Sequence, residues 1–380
     1  MTEPREITLQ FLVKFRSGQD YKHVDDPAGS VPVYGSGGIF ASASDYLYDG
    51  ESVLFGRKGT IDRPAYVCGK FWTVDTMFYT ELREGVSGRW LYYWATTIPF
   101  GLYSTDTALP SMTSSVLGRI KAPLVPHVQQ CAIADYLDRE TGEIDAMLAK
   151  LDELTRSLKQ RSGIVVENEL KSHYSHGTIP LAFSSGADNF FDGDWVESKD
   201  QDPDGDIRLL QLADIGDGTF LDKSNRRINQ DAFERLRCRE VQAGDILIAR
   251  MPHPLGRACI LPTGLGRTIT VVDVAVLRPD PNRIIPKYLV YVLNSISFRA
   301  RLDSLQSGST RQRISRSRLG QQRIPMPPVD LQRAAVSHLD DVTGRINAML
   351  AKIDELKALL VERRSALITD VVTGRKKIPS

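Results

Sequence analysis

The chain has 380 residues, enough for two or three separately cored domains. Its 48 lysines and arginines against 47 acidic residues leave a formal charge of +1, which excludes a globally basic nucleic-acid binder and requires any phosphate-binding surface to come from local clustering. Cys68, Cys131, Cys238 and Cys259 are too scattered for a zinc ribbon or a disulfide framework. The charged start MTEPREITLQ lacks a signal-peptide core and no apolar run is long enough to span a bilayer, so the expected location is the cytoplasm, with no membrane partner.

In chain order, YGSGGIF (34–40) is glycine-rich without the spacing of a dinucleotide fingerprint and reads as a turn between strands. SVLFGR (52–57) is a short apolar strand ending in arginine; the loop RKGTIDRP (57–64) and a second strand, TVDTMFYT (73–80), follow. RWLYYWATT (89–97) is an aromatic-rich helix, YSTDTALPSMTSS (103–115) a loop bearing tyrosine and hydroxyls, and the prolines of APLVP (122–126) close the segment. Then Ile144, Met147, Leu151, Leu154 and Leu158 step by three and four residues, the a and d positions of a heptad, among strong helix formers.

The second half runs through the same series. A polar loop, DKSNRRIN (222–229), precedes the strand DILIAR (245–250), the loop RMPHPLGR (250–257), the strand VVDVAVLR (271–278) and the helix KYLVYVLNS (287–295). An arginine run, SGSTRQRISRSRLGQQR (307–323), and the prolines of IPMPPVD (324–330) come next. A second heptad helix, Ile346, Met349, Ile353, Leu356 and Leu360, continues through LLVERRSALITDVV to about Val372. IDAMLAKLDEL (144–154) returns as INAMLAKIDEL (346–356), identical at nine of eleven positions and 202 residues later. The offsets between matched blocks drift from 193 through 198 to 202, as loop insertions into a duplicated unit would produce. Each helix has a narrow apolar seam that wants a partner, and its obvious partner is the other copy.

No catalytic signature emerges. A phosphate loop, a His-Glu-x-x-His pair and an Asn/Asp-Pro-Pro-aromatic methyltransferase loop are all missing from the sequence. Glu197-Ser198-Lys199 matches the tail of a nuclease motif but has no suitable Pro-Asp upstream. No catalytic residue and no metal ligand is therefore assigned, and the chain is not expected to be an enzyme.

Nucleic acid is the better prospect. The run 307–323 holds Arg311, Arg313, Arg316, Arg318 and Arg323 with hydroxyls and amides and no acid, the donor set that phosphates and base edges accept. Two loops with arginine at both ends repeat between the halves, offering Arg57, Lys58 and Arg63 in one and Arg250, His253 and Arg257 in the other. Arg226 and Arg227 form a further candidate pair, and Tyr103 and Ser111 stand where the first half has hydroxyls in place of the arginine run. Loops that diverge on a shared scaffold predict two different target sequences.

In these features the chain resembles the specificity subunits of type I restriction-modification systems over essentially its whole length. The sharpest similarities are AIADYLDRETGEIDAM (132–147) and LLVERRSALITDVVTGR (359–375), which are similar to the family's helical regions, and GSTRQRIS followed by IPMPP and VLFGRKG before FWTVDT, which are similar to its target recognition domains. The usual Pro-Pro-…-Glu-Gln opening of each helix departs to PPVDLQ and PLVPHVQQ. The resemblance implies an α+β fold, with two pseudo-two-fold-related α/β target recognition domains joined by two long helices that pair as an antiparallel coiled coil. The expected boundaries are 1–122 and 164–324 for the recognition domains, and 123–163 and 325–380 for the helical spacers. It further implies a non-catalytic subunit that binds double-stranded DNA and recruits two modification (methyltransferase) subunits and the restriction (motor-nuclease) subunits. Adenosylmethionine, ATP and magnesium are expected on those partners, and no cofactor on this chain. Some 20–28 paired helical residues separate the domains by roughly 30–40 Å, about a turn of B-DNA, so the target is expected to be bipartite with a constant gap of roughly 6–8 bp. Three rivals remain: a related system whose partner fuses methyltransferase and nuclease, a coiled-coil scaffold that binds proteins only, and a stand-alone DNA-binding regulator.

Overall fold

The computed structural model describes residues 5–103, 110–252, 254–305 and 313–379. The chain divides into two compact units, one made of residues 1–153 and 353–380, the other of residues 154–352. In chain order the first globular part contains β1 (Glu6–Thr8), β2 (Val13–Ser17), β3 (Val31–Gly35), β4 (Gly38–Ala43), β5 (Tyr48–Gly56), β6 (Ala65–Thr73), β7 (Met77–Leu82), α1 (Gly88–Ala95), α2 (Ser114–Arg119) and β8 (Lys121–Pro123). The long helix α3 (His127–His173) follows. The second part contains β9 (Thr178–Pro180), β10 (Ser185–Asp192), β11 (Ile207–Leu210), β12 (Arg227–Ile228), α4 (Gln230–Leu236), β13 (Ile246–Ala249), β14 (Ala258–Ile260), β15 (Thr268–Thr270), β16 (Val274–Pro279), α5 (Pro286–Leu293), α6 (Ile296–Ser304), α7 (Arg316–Gly320) and β17 (Arg323–Pro325). The second long helix, α8 (Val329–Val372), closes the series.

In the first unit a six-stranded sheet has the order β2-β7-β5-β6-β3-β4. The run Ser52–Gly56 of β5 is buried without alternation, as a central strand covered on both faces demands. Trp90, Leu91 and Trp94 of α1 pack on it, together with Ile133, Ala134 and Leu137 of α3 and Ile368 and Val371 of α8. The second unit has a four-stranded sheet, β10-β16-β13-β14, and a three-stranded one, β12-β11-β15. Its main core joins Ile246 and Ile248 of β13 to Tyr288 and Leu289 of α5, Leu170 of α3 and Ala335 of α8.

The long helices run antiparallel within each unit. In the first, Asp145 meets Arg364 at 3.0 Å and Asp152 meets Lys357 at 2.5 Å. In the second, Glu169 faces His338 at 4.0 Å, while Val166 joins Ala335 and Val336 in one apolar cluster. Of the seam residues, Ile144, Ile346, Ile353 and Leu360 are buried, whereas Met147, Leu154, Met349 and Leu356 are largely exposed and Leu151 and Leu158 are half-buried. The seam is buried chiefly at its a positions, while the d positions are exposed. The structure carries α3 on to His173, past the expected end at 163. Gly163 lies within the helix there, and a Cβ on it would sit 3.0 Å from the Ile296 side chain.

The duplication extends to hydrogen bonds. Gln130 accepts from Ser87 N–H at 2.9 Å and donates to the Val125 carbonyl at 2.8 Å; Gln332 accepts from Ile285 N–H at 2.9 Å and donates to Pro327 and Arg283 carbonyls at 2.9 and 3.0 Å. Tyr93 donates to Asp138 and Tyr291 to Asp340, both at 2.7 Å, with Thr141 and Thr343 beside them. Arg89 and Lys287 bind the same two aspartates. The second strand block aligns one residue differently from the shared Val-Asp of the sequence. Thr76 and Asp273 both accept from the backbone of the arginine that ends the preceding strand, so Asp75 corresponds to Val272. Strand register, set by hydrogen bonds, overrides a chance dipeptide match.

Candidate nucleic-acid interface

In each unit the arginine that follows the central strand anchors the chain where the variable loop returns. Arg57 N–H donates to the Thr76 carbonyl at 2.8 Å, and the Arg57 carbonyl accepts from Met112 N–H at 2.9 Å. Arg250 repeats both bonds, to Asp273 at 2.9 Å and from Ile314 at 3.1 Å. Directly after this clamp Thr113 caps α2 and Ser315 caps α7, each accepting from the helix's first turn. The stretches leading into the two clamps therefore end at the same backbone position.

What the clamps display differs. In the second unit the Arg316 Nε lies 3.4 Å from Asp192 and its Nη1 donates to the Phe190 carbonyl at 2.5 Å. Arg313 lies 3.4 Å from Asp273 and donates to the Val272 carbonyl at 3.1 Å. Arg250 is only 3% exposed, ion-paired to Asp192 at 3.1 Å and bonded to the Val272 carbonyl. Its burial lowers the guanidinium's proton affinity. Three guanidiniums share two carboxylates, leaving an excess of positive charge at the rim where Arg313 and Arg316 reach solvent. By the same register the first unit has Ser17, Thr76, Ser111 and Ser114 where the second has Asp192, Asp273, Arg313 and Arg316. An ion-pair network in one unit is replaced by hydroxyls in the other.

The remaining candidates fall in several places. Lys58 is exposed and bridges to Ser111, which brings those two together beside Arg57, whose guanidinium lies over the Phe78 ring. Arg63 and Tyr103 are exposed. Arg226 is exposed and lines a cleft of about 770 Å³ together with Trp195, Lys223, Asn225 and Asp273, so it shares a surface with the partner of Arg313. Arg227 is exposed and donates to the Gly205 carbonyl at 3.2 Å. Two of the sequence candidates are used by the fold. Buried Arg250 cannot present its side chain to a phosphate, and Arg257 donates to the Ile215 and Leu212 carbonyls at 2.7 and 2.8 Å, stapling a loop. His253 and Arg311 lie outside the described residues.

Sequence reasoning passed over Asp192 and Asp273, which orient the arginines, and exposed Trp195, which borders the cleft. The absence of acids within the arginine run concealed the carboxylates, because they come from the end of β10 and from the turn before β16. Asp194, on the same cleft, is pushed up to about 6 by burial, opposed by the Arg239 N–H it accepts at 3.1 Å, and the neighbouring Cys238 thiol is pushed up to about 12. Among the described residues no group of three or more His, Cys, Asp or Glu is placed to hold a metal, and no helix is long and apolar enough to cross a membrane.

A duplicated α+β unit carried on two long helices, with the same clamp presenting different side chains, defines a class of paired recognition modules. The family model for the type I restriction modification DNA specificity domain matches residues 12–156 and 191–358, and the chain belongs to that family. A Haemophilus influenzae sequence, provisionally named a type I restriction enzyme specificity subunit, is 24% identical over 85% of this chain and 82% of its own length. The Escherichia coli type I restriction enzyme EcoBI specificity subunit is 20% identical over 86% of this chain and 75% of its own. Among solved structures, a chain from work on complex assembly and conformational transition of the type I R-M system superimposes with a TM-score of 0.66 at 16% identity, covering 98% of both chains.

Proposed function

We propose that this chain is the non-catalytic specificity subunit that reads a bipartite DNA target: two short half-sites, one per recognition unit, separated by a constant gap. It recruits two copies of a modification subunit and, through them, the restriction motor-nuclease. Adenosylmethionine, ATP and magnesium belong to those partners, and the complex works in the cytoplasm. The observation that carries the reading is the repeated clamp with unlike contents, an arginine–aspartate network in one unit and hydroxyls in the other. A divergent pair of readers on one scaffold needs that arrangement, whereas a scaffold for proteins alone has no use for it.

Phosphate contacts release counterions, so the purified chain should lose affinity for duplex DNA steeply as salt rises from 50 to 200 mM, by about tenfold or more. Binding to DNA that is absent or indifferent to salt would favour the protein-scaffold reading. A partner with methyltransferase and nuclease fused would leave this DNA logic unchanged.

A further inference from the structure

β1 pairs with β8 and β9 with β17 in the same antiparallel register, Ile7 opposite Ala122 and Ile179 opposite Ile324. Each strand runs into a short 3-10 turn, Leu9–Phe11 or Leu181–Ser184. Leu9 N–H donates to the Ile120 carbonyl at 2.9 Å and Leu181 N–H to the Gln322 carbonyl at 2.8 Å. Leu124 N–H reaches the Arg5 carbonyl at 2.7 Å, and Met326 N–H the Gly177 carbonyl at 3.1 Å. The correspondence thus rests on register and on matched bonds, and it equates Phe11 with Phe183. Leu9 and Leu181 are wholly buried, while Phe11 is 61% and Phe183 63% exposed.

A lone exposed phenylalanine requires no explanation. The same ring at the same backbone position in both units, at nearly the same exposure, does. The sequences around it, ITLQF (7–11) and IPLAF (179–183), also share an isoleucine and a leucine, but those two pack on the core of each unit, whereas the phenylalanine is exposed in both. Neither turn carries an ionisable side chain, which is the wrong chemistry for a phosphate backbone and the right one for an apolar protein pocket. Symmetry of function points the same way. The clamp contents differ between units and suit two unlike half-sites; a feature that is alike in both units suits a ligand that is alike at both, namely two copies of one protein.

We infer that Phe11 and Phe183 are equivalent anchors, each inserting into an apolar pocket on one copy of the modification subunit. This rests on the proposed recruitment of two such subunits and adds the surface that grips them. Aromatic side chains that fill a partner's pocket dominate interfaces of this kind.

The test uses the full chain co-purified with the modification subunit of its own system, with stoichiometry read by native mass spectrometry. Wild type is expected to carry two copies, F11A or F183A one copy, and the double variant none. Titrating free modification subunit back should restore the missing copy of each single variant only at about tenfold higher concentration than wild type needs. Because both rings are exposed, the thermal midpoint of each free variant should match wild type, and duplex-DNA affinity of the free chain should be unchanged. Retention of two copies by the double variant would overturn the inference. So would a loss of DNA affinity with partner binding intact, which would assign the rings to DNA. A wild-type chain that binds no modification subunit at all would overturn the recruitment reading itself, and the anchors with it.

Discussion

Arg313 and Arg316 reach solvent as prepared groups: Asp273 and Asp192 pair with their guanidiniums, and buried Arg250 pairs with Asp192 at 3.1 Å. An arginine whose fork is fixed before binding loses less freedom on contact than a free one. Arg313→Ala should therefore weaken binding of DNA carrying the second half-site by ~1–3 kcal/mol if it reads a base edge. A loss spread evenly over unrelated duplexes in the same titration would make it a phosphate contact. A second residue carries a pH signature. Asp194 is raised to about 6 in the folded chain, so the folded state holds its proton more tightly than the unfolded one. Its contribution is fully favourable below the ordinary carboxylate range and declines as pH rises from about 4 to 6. Asp194→Asn keeps an acceptor for the Arg239 N–H and removes the buried charge. It should stabilise the protein by about 1–2 kcal/mol at pH 7, a value reduced for partial solvent access, and have little effect at pH 4. Equal shifts at both pH values in urea unfolding would contradict the assignment. At this scale the sequence was only partly legible. Arg226, Arg313 and Arg316 were visible as a local excess of base, but the inward turn of Arg250 and Arg257 depends on carbonyls of Val272, Ile215 and Leu212, supplied by turns distant in the chain.

The long helices were the most legible elements, because heptad spacing and near-identity over eleven residues are local signals. Their ends were less so. α3 runs on through Gly163, where the neighbouring Ile296, over one hundred residues away, leaves little room for a larger side chain. The small β1–β8 and β9–β17 pairs escaped notice altogether, since three-residue strands carry no periodicity to read. What fastens each helix to its globular part is a buried glutamine at its start. Gln332→Ala would strand the Ile285 N–H and the Pro327 and Arg283 carbonyls, at a cost of about 1–3 kcal/mol in urea unfolding. An unchanged midpoint would show that water replaces the amide. The helices also carry the proposed spacing. Four residues added to α3 lengthen it by about 6 Å, which should widen the gap between the half-sites by one or two base pairs and leave the half-sites themselves unchanged. Altered half-sites with an unaltered gap would remove the helices from that role.

For the whole molecule, duplication is the organising fact. It lets one chain carry two unlike clamps on a common frame: the glutamine fasteners, the tyrosine–aspartate contacts and the backbone clamp appear in both units. The repeat was legible in the sequence through its helices and strand blocks, and it survived the one-residue slip of the Val-Asp match because neighbouring blocks constrain the register. The content of each reader was not legible beyond its charge, since the acids and hydroxyls that complete it are brought together only by folding. The central claim, that this chain selects a bipartite DNA target for its partners, is tested most directly by mapping adenine methylation across the genome of cells that express the modification subunit, with and without the gene for this chain. One motif, two short blocks separated by a constant gap, is expected to lose its methylation on deletion. An unchanged methylation pattern would contradict the claim.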